Sequence, residues 1–393
     1  MQAYSEGGQP ACVPLKADLV DMPARASTCQ PCDLLPSAFA ACIADPSHVF
    51  PHGPPEQSSA TTAARTSDDY FDITPRGLQC GKLRLRRVVA ASADIFARVK
   101  ASGKQRELWN GHDISLAAQR PPKLRRLASP SALLDLITEP GMPIFYSKRD
   151  LACCFDTLEA PKALQPFFGR PPVVAHDFAT RAGLALDDLH QYIDGDGPDD
   201  LTGSTVLFPV STCWPQGFAW SSCVAQETSL HICAQAGIVE DRILSVDHIV
   251  PEDLSEAAAV CTDDILLFDA DLHIGQRRAA ALDEKFGEAG LVVNRAKDVD
   301  QALEMIGLGC EFSNSPAKIE PDSLRTARSL AAALALSTDL CATRDAVHSL
   351  LGVMQWSCLL QRGVYSCFDA CYGFVDHEQR DVAVEVPPDV ASE

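Results

Sequence analysis

The sequence predicts an α+β protein, on three observations. The first is Ala257 to Val260, then Cys261-Thr262-Asp263-Asp264, then Ile265-Leu266-Leu267-Phe268: an apolar run, a polar break and a second apolar run, which reads as strand, tight turn, strand. The second is a set of strand-like runs at 83–90, 95–99, 144–150 and 205–210. The third is a set of helix-like segments at 129–137, 221–236, 276–288, 320–336 and 342–361. At 393 residues, 46% hydrophobic and 22% charged, the chain has the composition of a globular protein and the length for two or three subdomains.

In chain order, residues 1–75 are rich in Pro, Ser, Ala, Thr and Gln without sustained periodicity, which predicts a largely disordered segment. Within it Cys29 and Cys32, followed by His48 and His52, have zinc-finger-like spacing. Pro36 and Pro46 stand where a finger needs its strand and helix, so the spacing reads as coincidental. The sixteen cysteines are spread through apolar segments with no signal peptide ahead of them, which predicts reduced, buried thiols in an intracellular protein. No apolar run reaches the roughly 18 residues a membrane span needs.

The net charge is −20, yet Arg76 to Arg126 holds thirteen basic residues against Asp94, Glu107 and Asp113. That block is +10 and leaves −30 for the remainder, so it is a candidate phosphate-binding surface inside an acidic chain. Lys100 to Arg106 forms a basic turn within it. Ser129 and Pro130 suit a helix start. Ile144 to Asp150 is β-prone and places Asp150 at a strand end, with Phe155 soon after. The acidic turn 194–200 resembles the opening of a calcium loop, but its twelfth position is Thr205, so it reads as a solvated turn. Gly237 suits a helix C-terminus, Gly290 to Asn294 a turn into a strand, and Ile306 to Phe312 a short hairpin. The acidic tail from His377, with Pro387 and Pro388, predicts mobility.

The chemistry gathers at the hairpin tip. Asp263 and Asp264 repel, and one must have a raised pKa unless a cation neutralises the pair. A structural turn seldom needs an Asp-Asp pair between apolar strands, though an ordinary acidic turn is the alternative; Asp150, at a strand end, is a third carboxylate that could join the pair.

Taken together these motifs resemble the polymerase core of retroelement reverse transcriptases, over about residues 95–376 and in that family's order. The carrying residues are Asp150-x4-Phe155; Pro215-Gln216-Gly217-x3-Ser221 with Gln226; Thr262-Asp263-Asp264; Gly290-Leu-Val-Val-Asn-x2-Lys297; Leu308-Gly309-Cys310-Glu311; and Leu350-Leu-Gly-x3-Trp356. The resemblance implies a right-hand fold: basic fingers at 76–145, a palm at 146–312 (an antiparallel sheet backed by helices, with a partial fingers insertion at 157–204), a helical thumb at 313–376 and an acidic tail at 377–393. It implies RNA-directed DNA polymerase activity, with Asp150, Asp263 and Asp264 holding two Mg²⁺ ions, or Mn²⁺ in their place. Lys100, Arg106, Phe155, Gln216 and Gly217 would meet the nucleotide, Phe155 by excluding a ribose 2′-hydroxyl. Pro215, Ser221, Gln226, Leu308 and Gly309 would meet template or primer, and Lys297 would assist proton transfer to pyrophosphate. The implied partners are an RNA or DNA template, a DNA primer and deoxynucleoside triphosphates, with no membrane.

Three positions depart from that pattern. Cys261 stands where Tyr or Phe leads the acidic turn, and Asn110 and His112 stand where Asp and Arg follow the basic turn. Cys261 and the acidic remainder favour a second expectation, a catalytically decayed, retroelement-derived nucleic-acid-binding protein that keeps the polymerase fold, its basic block holding duplex nucleic acid. A metal-dependent hydrolase has little support, because the chain has no His-rich cluster and no Gly-x-Ser-x-Gly elbow.

Overall fold

The computed structural model describes residues 12–53, 67–100, 102–136, 141–194, 201–248, 255–314, 317–339, 341–377 and 379–393. The chain opens with β1 (Cys12–Val13) and three short helices, α1 (Pro31–Leu34), α2 (Ser37–Ala44) and α3 (Pro46–Val49). Composition predicts disorder here, but residues 12–53 are built into the protein. Cys29, Ile43, Val49 and Phe50 are buried in the main core, and Phe50 stacks on Phe167 at 4.3 Å. Pro31 and Pro46 lie in the first turns of their helices, where proline's missing N–H costs nothing, so a composition that suggests disorder instead marks helix starts. Residues 1–11 and 54–66 of the predicted segment lie outside the described residues.

α4 (Asp68–Gln79) begins at Ser67, whose hydroxyl accepts the Tyr70 N–H. β2 (Leu83–Arg86), β3 (Ile95–Val99), β4 (Gln105–Trp109) and α5 (His112–Ala117) follow, with β3 central in the antiparallel sheet β1-β3-β4. The helix expected at 129–137 is a 3-10 turn over Pro130–Asp135, and Ile137 lies outside the described residues. β5 (Phe145–Asp150) and the one-turn α6 (Cys154–Thr157) come next, then β6 (Val173–Val174), α7 (Ala175–Ala182) and β7 (Val206–Ser211), which pairs with β2 and β6. Of the acidic turn at 194–200 only Asp194 is described. α8 (Ser221–Gln235) runs out at Ala236 and Gly237.

β8 (Glu256–Cys261) and β9 (Asp264–Asp269) form the expected hairpin, followed by α9 (Leu272–Glu288) and β10 (Val299–Ala302). With β5 they make one antiparallel sheet in the order β10-β5-β9-β8. Both faces are covered. Ala258, Val260, Ile265 and Leu267 join the main core beneath α8 and α9, while Ala257, Ala259, Leu266 and Phe268 pack with Tyr146, Met305 and Phe312 in a second core. Two-sided burial is why these strands read as unbroken apolar runs and not as alternating ones. The strand expected from Gly290 to Asn294 is reduced to one bridge, Leu151 to Val293, and regular pairing resumes only at β10.

β11 (Met305–Gly307) and β12 (Cys310–Asn314) are the second expected hairpin, extended by β13 (Ala317–Pro321). Beyond lie α10 (Ser323–Asp339), β14 (Cys341–Thr343), α11 (Arg344–Cys358), α12 (Asp369–Val375), β15 (Ala383–Glu385) and α13 (Pro388–Ser392). The tail expected to be mobile is held here: β15 pairs with β14, and Val386 and Val390 are buried against Val347, Leu351 and Phe368 in a third core. Phe268 links sheet and hairpin, 6.0 Å from the Tyr146 ring and 5.5 Å from Phe312. Phe268→Ala is therefore expected to cost about 3–5 kcal/mol, read as a lowered denaturant midpoint with the slope unchanged.

Candidate active site

The register of the central sheet brings the three carboxylates together. Asp150, the last residue of β5, lies directly opposite Asp264, the first of β9, and Asp264 lies opposite Cys261 on β8. Directly opposed residues of an antiparallel pair project on the same face. Asp263 occupies the hairpin tip, and its carbonyl accepts the Leu151 N–H at 3.0 Å, which ties the tip to the end of β5.

The tip is held in an unusual shape. Thr262 has φ 52°, a left-handed conformation that a β-branched residue adopts only under constraint. The constraint comes from α8. The Ser229 hydroxyl donates to Thr262 O at 2.6 Å, and the Gln226 side-chain carbonyl accepts the Thr262 N–H at 2.8 Å. The Gln226 amide donates to the carbonyls of Arg125, Arg126 and Val260.

Positive charge comes from two lysines. Lys297 Nζ is 2.9 Å from Asp150 Oδ1, and Asn294 donates its side-chain N–H to Asp150 Oδ2 at 3.2 Å and its backbone N–H to Asp150 O at 2.7 Å. Lys148 Nζ is 3.5 Å from Asp264 Oδ1. That oxygen is buried and has no hydrogen-bond partner. Burial raises the Asp264 pKa above its ordinary value, Asp263 and Asp150 add to the rise, and Lys148 and Lys297 oppose it. Burial, with the neighbouring acids, also pushes the Cys261 thiol up to about 11.

Among the described residues no three His, Cys, Asp or Glu side chains close into a preformed metal cage. The donor set nevertheless fits a hard divalent cation: carboxylate oxygens only, one of them an orphan, in a pocket that disfavours its own negative charge. The zinc spacing fits nothing of the kind. Cys29 is fully buried with its thiol pushed up to about 12 by burial, while His48 is exposed beside Asp45.

The nucleotide-facing residues expected from the sequence are more scattered. Lys100 and Lys104 both bind the Asp21 carboxylate, at 2.8 and 2.7 Å. Arg106 on β4 is exposed and lies opposite Arg98 on β3. Among the described residues neither arginine has an acidic partner, and opposed like charges on paired strands repel. Phe155 is half-buried on α6, just after Cys153 at φ 50°. Gln216 is half-buried, and its carbonyl accepts the Trp109 N–H at 2.9 Å. Gly217, at φ 121°, packs so close to β4 that a Cβ would fall 2.0 Å from Trp109 O.

Several expected template or primer contacts are turned inward. Gln226 is fully buried and saturated by the hairpin and its neighbours, so it shapes the acidic tip and has no face for a template. Pro215 is buried, and Ser221, equally buried, donates to Pro215 O at 2.7 Å. Leu308 and Gly309 form the β11–β12 turn, half-buried under Trp356, whose Nε1 donates to Leu308 O at 2.9 Å.

The basic block is also less free than its sum suggests. Lys82 is buried between Glu107 and Asp156, and Arg125 and Arg126 pair with Glu227, Glu240 and Asp241. Sequence reasoning passed over Lys148, although it stands two residues before Asp150 and so on the same face of the strand. It also gave no role to Asn294 or Ser229.

No family model matches the sequence, and no curated protein matches it. Solved structures do. A foamy viral protease-reverse transcriptase in complex with RNA/DNA hybrid superposes with a TM-score of 0.53 at 13% identity, covering 98% of this chain and 39% of that one. This protein has a reverse-transcriptase-like fold. A second structure, a foamy viral protease-reverse transcriptase dRH in complex with ds DNA, gives 0.52 at 12% identity over 88% of this chain and 57% of that one. The chain spans less than two thirds of either. Among the described residues no helix is long and apolar enough to cross a membrane.

A carboxyl whose folded pKa is raised favours the folded state only while protonated. Its contribution is present below the unfolded value and is lost as pH rises through the folded one. Ionised Asp264 thus opposes folding at neutral pH. Asp264→Asn is expected to raise the metal-free Tm at pH 7 by about 1–4 °C, and the gain should vanish below about pH 4, where the carboxyl is neutral in both states. Calorimetry across that range checks both halves.

Proposed function

We propose that this chain catalyses template-directed nucleotidyl transfer, as an RNA-directed DNA polymerase, at Asp150, Asp263 and Asp264. The observation that carries the reading is the Asp150–Asp264 register beside the Asp263 tip, within a fold of reverse-transcriptase type. In the two foamy viral structures that fold is bound to RNA/DNA hybrid and to double-stranded DNA. The partners proposed here are correspondingly an RNA or DNA template, a DNA primer and deoxynucleoside triphosphates.

The three carboxylates would hold two Mg²⁺ ions, which when bound would acidify the primer 3′-hydroxyl and neutralise the triphosphate and departing pyrophosphate. Phosphoryl transfer is otherwise a matter of positioning and charge. Lys297, with its side chain 57% exposed, can leave Asp150 and offer its proton to pyrophosphate. Arg106, Arg98 and Lys100 are the cations for the triphosphate. Phe155, on the short helix that follows Asp150, excludes the 2′-hydroxyl. Gln216 lies next to Gly217, where the backbone packs on β4, and faces the nucleotide or template. Leu308 and Gly309, braced by Trp356, support the primer end.

Asp263→Asn and Asp150→Asn should each lower Mg²⁺-dependent primer extension by about 10³-fold, roughly 4 kcal/mol of barrier. Binding of a primed template should survive both changes, with its affinity falling as salt rises. Failure of the folded wild-type chain to extend primers on either RNA or DNA, with binding retained, would replace this reading by the nucleic-acid-binding one that Cys261 and the acidic remainder favour. Asp21→Asn should lower the KM for deoxynucleotides about two- to fivefold by releasing Lys100 and Lys104, the range expected for a partly exposed ion pair.

A further inference from the structure

Beneath the nucleotide-facing elements lies a buried ion network to which no role above is given. Lys82, just before β2, is 5% exposed, and its ammonium is 2.8 Å from Glu107 Oε1 on β4 and 2.9 Å from Asp156 Oδ1 on α6. Arg170 grips both oxygens of Glu107, at 2.6 and 3.1 Å. Two cations and two carboxylates therefore balance in one largely buried cluster. Burial alone would raise the Glu107 pKa, but Arg170 and Lys82 outweigh it and pull the group to about 2. Removing one member of such a set leaves an uncompensated buried charge, so its geometry resists change.

The two ends of this network adjoin two residues assigned to the nucleotide. Glu107 follows Arg106 on β4, and successive strand residues face opposite sides. Pinning Glu107 inward turns Arg106 outward, where it is exposed. Asp156 follows Phe155 on α6, a helix of four residues that cannot hold its own orientation. Besides the Lys82 contact, the N-terminal segment steadies it: the Ser27 N–H donates to Asp156 O at 2.9 Å.

We propose that Lys82 is a positioning residue that couples Phe155 to Arg106 through Asp156 and Glu107. Discrimination of deoxyribonucleotides from ribonucleotides then depends on an ammonium that touches neither the sugar nor the phosphates. The inference rests on the nucleotide assignments of the preceding subsection.

The test compares dGTP with GTP, by equilibrium binding and by single-nucleotide incorporation on a primed template, for wild type, Asp156→Asn, Asp156→Glu and Lys82→Met. Asp156 is the accessible end of the network, its side chain 20% exposed, and its change leaves Glu107 paired with Arg170 and Lys82. The dGTP preference is expected to fall about tenfold in Asp156→Asn and Lys82→Met, as for a side chain misplaced by a fraction of an ångström. The loss should come mainly from tighter GTP binding, and Asp156→Glu should restore most of the preference. Circular dichroism establishes folding; if Lys82→Met does not fold, Asp156→Asn decides alone. A folded Asp156→Asn with the wild-type ratio, or with both nucleotides weakened equally, overturns the coupling while leaving the polymerase reading intact. A folded wild type that takes neither nucleotide overturns both.

Discussion

The constraint on which the site depends is the placing of Asp150 opposite Asp264 in a sheet that is buried on both faces. Two carboxylates on neighbouring strands, with a third at the adjoining turn, form an arrangement that an apolar sheet opposes. The surrounding structure answers that opposition. Lys148 and Lys297 bring charge, and Asn294 brings two hydrogen bonds to Asp150. Ser229 and Gln226 hold Thr262 in a backbone conformation it would not choose. Local cost tolerated at one place and countered by its neighbours is the ordinary mark of a functional site.

Much of this was legible in the chain, for identifiable reasons. The hairpin could be read because two-sided burial leaves unbroken apolar runs, and only a turn interrupts them at 261–264. Asp150 could be placed at a strand end by the β-prone residues before it. Its register against Asp264 could not, because strand pairing is set by contacts between segments more than a hundred residues apart and not by local pattern. The N-terminal segment misled for a related reason. Its prolines and small residues lower its hydrophobicity, yet Ile43, Val49 and Phe50 supply enough apolar surface to dock once a core exists to receive them.

Gln226 and the basic block show a different limit. A glutamine inside an apolar helix offers donors and acceptors, and sequence alone does not reveal whether these meet a ligand or the protein's own backbone. Here Thr262, Arg125, Arg126 and Val260 take them all. A sum of charges has the same blindness. Lys82 contributes to the +10 block yet is buried, because its partners Glu107 and Asp156 come from separate elements. Lys100 and Lys104 are answered by Asp21, from a segment expected to be disordered. On that sheet the opposed Arg98 and Arg106 have no acidic partner among the described residues.

The two lysines beside the acids are not equivalent, and the difference bears on how the site can change state. Lys148 is 17% exposed and sits on β5, so its ammonium has little room to move. Lys297 is 57% exposed and follows a stretch that makes only a single bridge to the sheet edge. Asp150, the other end of that pair, is buried, so drawing Lys297 away leaves a shielded carboxylate short of one counter-charge, with the Asn294 side chain still donating to it. A cation placed at the three carboxylates would compete first with Lys297, the more exposed of the two ammonium groups.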